Sequence, residues 1–193
     1  MAYPAEPWHL RGSLVISVFR VPRRLVPTDH LPSGARVITV AGNAFVAVAF
    51  VSYEPGGVLS YEELLVATLV HDEGRVAVSV PQIWVDSEAS CQGGRELWAI
   101  PKQLARFGQG SSIAGVAATG GVPLPGRWTA AGWTAQRLDG RDVRTRARMS
   151  GRVSLIRTGW MFPVDGPLGD LTGRTPLVSF AVKDMQLTFG QAP

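Results

Sequence analysis

The chain has 193 residues, 46% of them hydrophobic, and a formal net charge of +4. This length fits a single domain, residues 1–193, with a sizeable core, and the apolar content excludes an intrinsically disordered protein. The mild positive charge does not indicate nucleic acid as a partner, and the single cysteine, Cys91, excludes an internal disulfide.

The predicted elements of the first half are mostly strands. Runs of β-branched and apolar residues, bounded by turn residues, predict strands at 14–21, 36–40, 44–53, 61–71 and 76–80. Only residues 86–92 are predicted to be helical. They begin with the capping residues Asp86 and Ser87 and are followed by Gly93 and Gly94, which predict the end of the helix.

The second half continues as strand after residues 108–126, a Gly/Ala/Ser-rich segment that predicts a loop with weak strand character. Within 143–149, inward-facing residues alternate with an outward basic face formed by Arg144, Arg146 and Arg148. The last predicted strands are 151–161, 177–182 and 185–189. Many short strands with turn signals predict an all-β fold with minor helix. We expect an antiparallel, closed or nearly closed β-barrel that encloses a small-molecule pocket.

Lys102 is the most informative residue for function. It is one of only two lysines, with Lys183, and lies in the apolar run 97–104. A lysine can lose its proton when it is desolvated, whereas an arginine in practice cannot, and a neutral amine in an apolar pocket attacks carbonyl compounds. The alternative is a lysine that extends its charged end to water past an apolar wall. The local sequence alone favours this alternative.

Residues 94–105, with the sequence GRELWAIPKQLA, resemble the acetoacetate decarboxylase superfamily. That family carries a motif close to G-R-E-x-x-x-x-P-K-K-L, and its lysine after proline forms a Schiff base with a β-keto acid. The resemblance therefore implies that Lys102 is a catalytic lysine that needs no cofactor. It also implies a barrel of the acetoacetate decarboxylase-like type and assembly into a homo-oligomer.

Two further segments resemble the family in the same order along the chain. Residues 8–12 are similar to its N-terminal segment with an active-site arginine, here Arg11, and residues 61–63 to a segment with an active-site glutamate, here Glu63. The resemblance implies that both side chains converge on Lys102. Arg11 would then bind a substrate carboxylate, and Glu63 would orient Arg11, position Lys102 or shuttle a proton. Without the resemblance, both are more simply surface residues.

The sequence departs from the family pattern in two places. Gln103 stands where the family has a second lysine, and the stretch Val46-Ala47-Val48 lacks the carboxylate that the family has there. Since no cation follows Lys102, desolvation by apolar neighbours such as Trp98 would have to lower the pKa of its amine.

These observations predict a cofactor-independent Schiff-base lyase or decarboxylase that acts on a small keto acid or related carbonyl compound. The expected catalytic residues are Lys102, Glu63 and Arg11, and the expected substrate-binding residues are Arg11, Trp98, Gln103 and Tyr61. An aldolase-dehydratase that uses the same imine, and a barrel that binds a small apolar or anionic ligand without turnover, are the alternatives. The scattered histidines predict no metal site.

The sequence also predicts where the protein acts. It has neither the basic start and apolar core of a signal peptide nor an apolar run long enough to span a bilayer. We therefore expect a cytoplasmic protein that has neither a membrane nor a nucleic acid as a partner.

Overall fold

The computed structural model describes residues 3–108 and 113–190, and strands dominate this part of the chain. The predicted predominance of strand over helix is confirmed. The one α-helix in the described residues is α1 (Glu88–Trp98). The strands are β1 (Trp8–Pro22), β2 (Arg36–Val37), β3 (Thr39–Val40), β4 (Asn43–Tyr53), β5 (Tyr61–Asp72), β6 (Arg75–Val85), β7 (Lys102–Leu104), β8 (Gly115–Pro123), β9 (Trp128–Leu138), β10 (Arg141–Met161) and β11 (Val178–Phe189).

Seven long strands form a ring, in the order β1-β4-β5-β6-β9-β10-β11 and back to β1. Neighbouring strands pair antiparallel except β6 and β9, which run parallel and are paired only at Val78 and Thr134. The short strand β7 also pairs parallel to β6, so the sheet is not antiparallel throughout. The ring therefore has one weak seam, between β6 and β9.

The two faces of the ring carry separate apolar clusters, because successive side chains of a strand point to opposite faces. On β4, Val48 belongs to the outer cluster and Ala49 to the inner cluster. The inner cluster surrounds a cavity, which is described below.

A bulge in β6 shifts which of its residues face the cavity. The pairing of β5 with β6 slips between Val66 and Thr68, so that β6 has an extra residue near Pro81. Proline has no amide hydrogen to donate to a neighbouring strand, and bulges tolerate it. Val80 faces the cavity before the bulge and Ile83 after it. Because β7 pairs with β6 at Ile83, the bulge also fixes the position of Lys102.

The helix is longer than the sequence predicts. Ser87 caps its N-terminus as expected, accepting a hydrogen bond from the Ser90 amide, but the helix continues through Gly93 and Gly94 to Trp98. Glycine is a poor helix former, so the sequence favoured an end there. A Cβ at Gly93 would lie 2.6 Å from the Trp8 ring, so close packing explains a glycine at this position.

The strand boundaries of the second half also differ from the prediction. Residues 141–161 form one strand and residues 178–189 form another, and their pairing shifts between Ser150 and Arg152, where the second strand has an extra residue. Strand β9, which contains the stretch Ala130-Ala131-Gly132, was not predicted. Within 108–126, which the sequence predicts as a loop with weak strand character, residues 115–123 form strand β8, and residues 109–112 lie outside the described residues. No helix in the described residues is long and apolar enough to cross a membrane.

The side chain of Gln136 reinforces the seam between β6 and β9. It is fully buried, accepts a hydrogen bond from the Ser79 hydroxyl at 3.0 Å and donates one to the Val80 carbonyl at 3.2 Å. We expect Gln136→Leu to lower the free energy of unfolding by about 1–3 kcal/mol, because it leaves buried polar groups unpaired. Urea denaturation measures this loss. The same change at the exposed Gln186 should alter stability by less than about 0.5 kcal/mol, and equal effects at both positions would contradict the role of Gln136.

Candidate active site

A cavity of about 390 Å³ lies inside the ring and is bounded mainly by apolar side chains. This volume is within the range of about 300–1,000 Å³ found for small-molecule sites. Each long strand of the ring contributes to the wall. Representative apolar residues are Leu10, Val51, Leu65, Ile83, Met149 and Leu187. Among the described residues, Lys102 and Glu63 are the only charged side chains that line the cavity.

Lys102 projects into this cavity from the first position of β7 and is 95% buried, since only 5% of its surface is exposed. Its Nζ donates hydrogen bonds to Glu63 Oε2 at 2.7 Å, to Ser90 Oγ at 2.9 Å and to the Tyr61 hydroxyl at 3.3 Å. An ammonium group has three hydrogens to donate, so these partners satisfy all of them. The side chain therefore does not extend to water.

The buried carboxylate decides the protonation state of Lys102. Burial lowers the pKa of the amine, but the charge of Glu63, with Tyr61 and hydrogen bonds to both, outweighs burial and raises the pKa of Lys102 above its ordinary value. The expected lowering of this pKa by apolar surroundings is therefore wrong. At rest the site holds an ammonium–carboxylate pair, and the amine must give up a proton before it can act as a nucleophile.

Two tyrosines hold the Glu63 carboxylate from the other side. The Tyr53 hydroxyl donates to Oε1 at 3.2 Å, and the Tyr61 hydroxyl lies 3.5 Å from Oε2. Burial, reinforced by the charge of Glu63, raises the pKa of Tyr61 to about 12 and that of Tyr53 well above its ordinary value. Both phenols therefore keep their protons near neutral pH and remain hydrogen-bond donors.

Helix α1 shapes the space around Lys102. Ser90 and Gly94 lie four residues apart, on one face of the helix. A Cβ at Gly94 would lie 2.6 Å from Lys102 Cδ and 2.8 Å from Cε, so only glycine leaves room for the lysine side chain. The helix is capped at its C-terminus by Ala99, whose φ of 53° is in the left-handed region, and the Ile100 amide donates a hydrogen bond back to the Gly94 carbonyl. This ending turns the chain into β7.

The structure brings together four of the six predicted site residues. Lys102, Glu63, Tyr61 and Trp98 all line the cavity. The Trp98 indole also donates to Glu6 Oε2 at 2.8 Å, which fixes the orientation of its ring.

The other two predicted residues, Arg11 and Gln103, lie outside the cavity, which corrects their expected placement. On β1, Leu10 faces the cavity, so the next residue, Arg11, faces outward and is exposed. Arg11 lies in a surface groove with Lys183. On β7, Lys102 faces inward and Gln103 is exposed for the same reason. We therefore assign neither residue a role in the reaction.

Tyr53 and Ser90, which contact Glu63 and Lys102 respectively, were not predicted as site residues. A signal for Tyr53 was present: the turn at 54–57 predicts a hairpin, and pairing of its strands places Tyr53 opposite Tyr61. Ser90 lies one helical turn before Gly94, a relation that becomes visible only when the helix is known to continue past the glycines.

The site offers no evident metal ligands, since no group of three or more His, Cys, Asp or Glu side chains clusters suitably within 3–108 and 113–190. What it offers is a buried lysine paired with a carboxylate at one end of an apolar cavity. Fold and site together define the class: a strand-ring protein with an internal lysine–glutamate site.

Comparison with protein families identifies this class. Residues 3–132, more than half of the chain, match the family model described as acetoacetate decarboxylase (ADC), so the chain belongs to the acetoacetate decarboxylase family. Among curated proteins no sequence matches it.

Solved structures share the fold at low sequence identity. The acetoacetate decarboxylase of Legionella pneumophila superposes with a TM-score of 0.70 and 17% identity, over 98% of this chain and 87% of that one. MppR, an enduracididine biosynthesis enzyme, gives a TM-score of 0.55 and 18% identity, over 98% and 88%. An acetoacetate decarboxylase-like enzyme from Sphingomonas wittichii RW1 gives a TM-score of 0.54 and 13% identity, over 98% and 92%.

Proposed function

We propose that this protein is a cofactor-independent lyase that forms a Schiff base between Lys102 and a carbonyl substrate such as a keto acid. The observation that carries the proposal is the 2.7 Å contact between Lys102 Nζ and Glu63 Oε2 at the end of an apolar cavity. A buried amine beside a proton acceptor has the two functions that imine formation requires.

The geometry supports a definite order of proton transfers. Glu63 takes a proton from the Lys102 ammonium, and the neutral amine adds to the substrate carbonyl carbon. A proton then passes from the added nitrogen to the oxygen to give the carbinolamine. Glu63 returns its proton to the carbinolamine hydroxyl, which leaves as water, and an iminium remains. Tyr53 and Tyr61, which keep their protons, orient the Glu63 carboxylate throughout.

The iminium withdraws electrons from the neighbouring carbon and so supports more than one outcome. In a β-keto acid the bond to the carboxylate breaks, carbon dioxide leaves, and the electrons are held as an enamine. In an aldol or dehydration reaction the same carbon loses a proton instead. The second route is favoured by MppR, which has been solved with the condensation product of pyruvate and imidazole 4-carboxaldehyde.

Trapping of the imine tests the proposal. Protein incubated with a panel of ketones and keto acids in the presence of cyanoborohydride should gain the mass of one reduced adduct, because the hydride converts the iminium to a stable secondary amine. Peptide mapping should place the adduct on Lys102, while the exposed Lys183 stays unmodified near neutral pH. Carbon dioxide release then separates decarboxylation from aldol chemistry, and the absence of any adduct across the panel would reject the enzyme in favour of a binding protein.

Gly94 provides a test of the space around the lysine. We expect Gly94→Ala to slow adduct formation by about 10- to 100-fold, because its Cβ would displace Lys102 from the Glu63 carboxylate and small misplacements are costly in catalysis. Stability should also fall, because a displaced Lys102 leaves the buried Glu63 carboxylate without its full ion pair. In Gly93→Ala the new Cβ instead meets the Trp8 ring, so that variant should lose stability by about 1–3 kcal/mol. A Gly94→Ala rate equal to wild type would contradict this placement of Lys102.

A further inference from the structure

The volume and the apolar lining of the cavity indicate the size and polarity of the substrate, which the lysine–glutamate pair does not indicate. A cavity of about 150 Å³ holds benzene, and a small keto acid such as acetoacetate is about that size. The cavity here has a volume of about 390 Å³. A small keto acid at Lys102 would leave most of this space unfilled, next to apolar side chains.

We infer that the carbonyl substrate carries an extended apolar chain, and that burial of this chain, rather than recognition of a carboxylate, provides most of the binding free energy. This inference rests on the Schiff-base function proposed above and specifies the substrate class of the same site.

The charges around the carbonyl position support this assignment. Among the described residues that line the cavity there is no arginine, and the only cation, Lys102, is already paired with Glu63. Arg11, which the sequence assigned to a carboxylate, lies on the outer face. A substrate carboxylate close to the carbonyl would lose its hydration beside the Glu63 carboxylate, without an arginine to compensate.

The direction of the cavity indicates where the apolar chain lies. Lys102 pairs with Ile83 on β6, and Thr134 pairs with Val78 on the same strand. Ile83 lies five positions after Val78 along β6, which corresponds to a distance of about 13–16 Å when the bulge is taken into account. Both Val78 and Thr134 line the cavity, so the cavity extends along β6 from the lysine toward β9.

The wall at β9 begins with three small residues and continues with Trp133 and Thr134. Ala130, Ala131 and Gly132 line the cavity and are exposed, so this part of the wall is also where the cavity meets solvent. A Cβ at Gly132 would meet no atom within 4 Å. A larger side chain at this position would therefore occupy cavity space without displacing the strand.

Chain length is the variable to test. Methyl ethyl ketone and methyl hexyl ketone present the same carbonyl group with different alkyl chains, and both form an iminium that cyanoborohydride reduces on Lys102. We expect the concentration for half-maximal labelling of the wild-type protein to be about tenfold lower, or more, for methyl hexyl ketone, because each buried methylene adds to binding. Acetoacetate should label only at concentrations well above those of methyl hexyl ketone.

Gly132→Leu tests the position of the chain. It should reduce the preference for methyl hexyl ketone over methyl ethyl ketone by about tenfold. Gly159→Leu is the matched control, because Gly159 also has no atom within 4 Å of an added Cβ but does not line the cavity. Its preference should equal that of the wild-type protein.

The labelling results distinguish failure of the apolar-chain inference from failure of the proposed Schiff-base function. If acetoacetate labels Lys102 at concentrations equal to or below those of methyl hexyl ketone, the apolar-chain inference is overturned while the Schiff base stands. An unchanged preference in Gly132→Leu would overturn the path toward β9. If no ketone and no keto acid labels Lys102, the proposed function itself fails.

Discussion

Lys102→Arg is expected to abolish reductive labelling by every carbonyl compound while the protein stays folded. Arginine keeps a positive charge opposite Glu63, so the buried carboxylate retains a partner, but its guanidinium does not lose a proton and cannot form an imine. Intact-mass measurement after incubation with ketone and cyanoborohydride checks the loss. Lys183→Arg, in the outer groove, is the matched control and should label like the wild-type protein.

Lys102→Met separates the charge of the lysine from its chemistry. It also abolishes labelling, but it leaves Glu63, which is 97% buried, without a cation. Breaking a buried pair in this way costs about 3–5 kcal/mol. We expect this loss in urea denaturation at neutral pH. Labelling that persists in either Lys102 variant would show that the nucleophile is elsewhere.

The sequence predicted the positions of the strands more accurately than which face of each strand lines the cavity. Runs such as 44–53 and 61–71 are apolar on both faces, so they identify β4 and β5 but do not indicate which face lines the cavity. For Arg11 a signal was present: Trp8 and Leu10 are apolar and Arg11 is not, and this alternation places Arg11 on the opposite face. The family resemblance outweighed that local pattern, so the expected convergence on Lys102 was found for Glu63 but not for Arg11.

Two misses had no usable local signal. Strand β9 contains the stretch Ala130-Ala131-Gly132, whose residues are poor strand formers, and it forms because β10 provides a long pairing partner, which a propensity argument cannot detect. The protonation state of Lys102 depends on Glu63, which is 39 residues away in sequence. Their contact requires both the β5–β6 register and the β6–β7 pairing, and the apolar residues next to Lys102 in sequence suggested the opposite direction of its pKa shift.

Glu63→Gln is expected to have the second largest effect, because the carboxylate has two functions. It accepts the proton of the Lys102 ammonium, and its charge raises the pKa of that group. Glutamine keeps the size of the side chain but neither function. We expect the limiting rate of imine formation to fall by about 10²- to 10⁴-fold, the usual contribution of a general acid–base group.

The pH dependence of the same variant separates the two functions of Glu63. In the wild-type protein the pKa of Lys102 is raised, so the fraction of neutral amine grows only toward strongly alkaline pH. Without the Glu63 charge, burial is no longer offset and lowers that pKa, so the labelling profile should move to lower pH even though its plateau is lower. Labelling reactions stopped at set times across a pH series measure both the plateau rate and the position of the pH profile.

Glu62→Gln is the matched control. Glu62 accepts a hydrogen bond from Ser52 and does not contact Lys102, so this substitution should leave the labelling rate and its pH profile unchanged. A plateau near the wild-type value with a shifted profile would assign Glu63 an electrostatic role alone, whereas a lower plateau with an unshifted profile would assign it proton transfer alone.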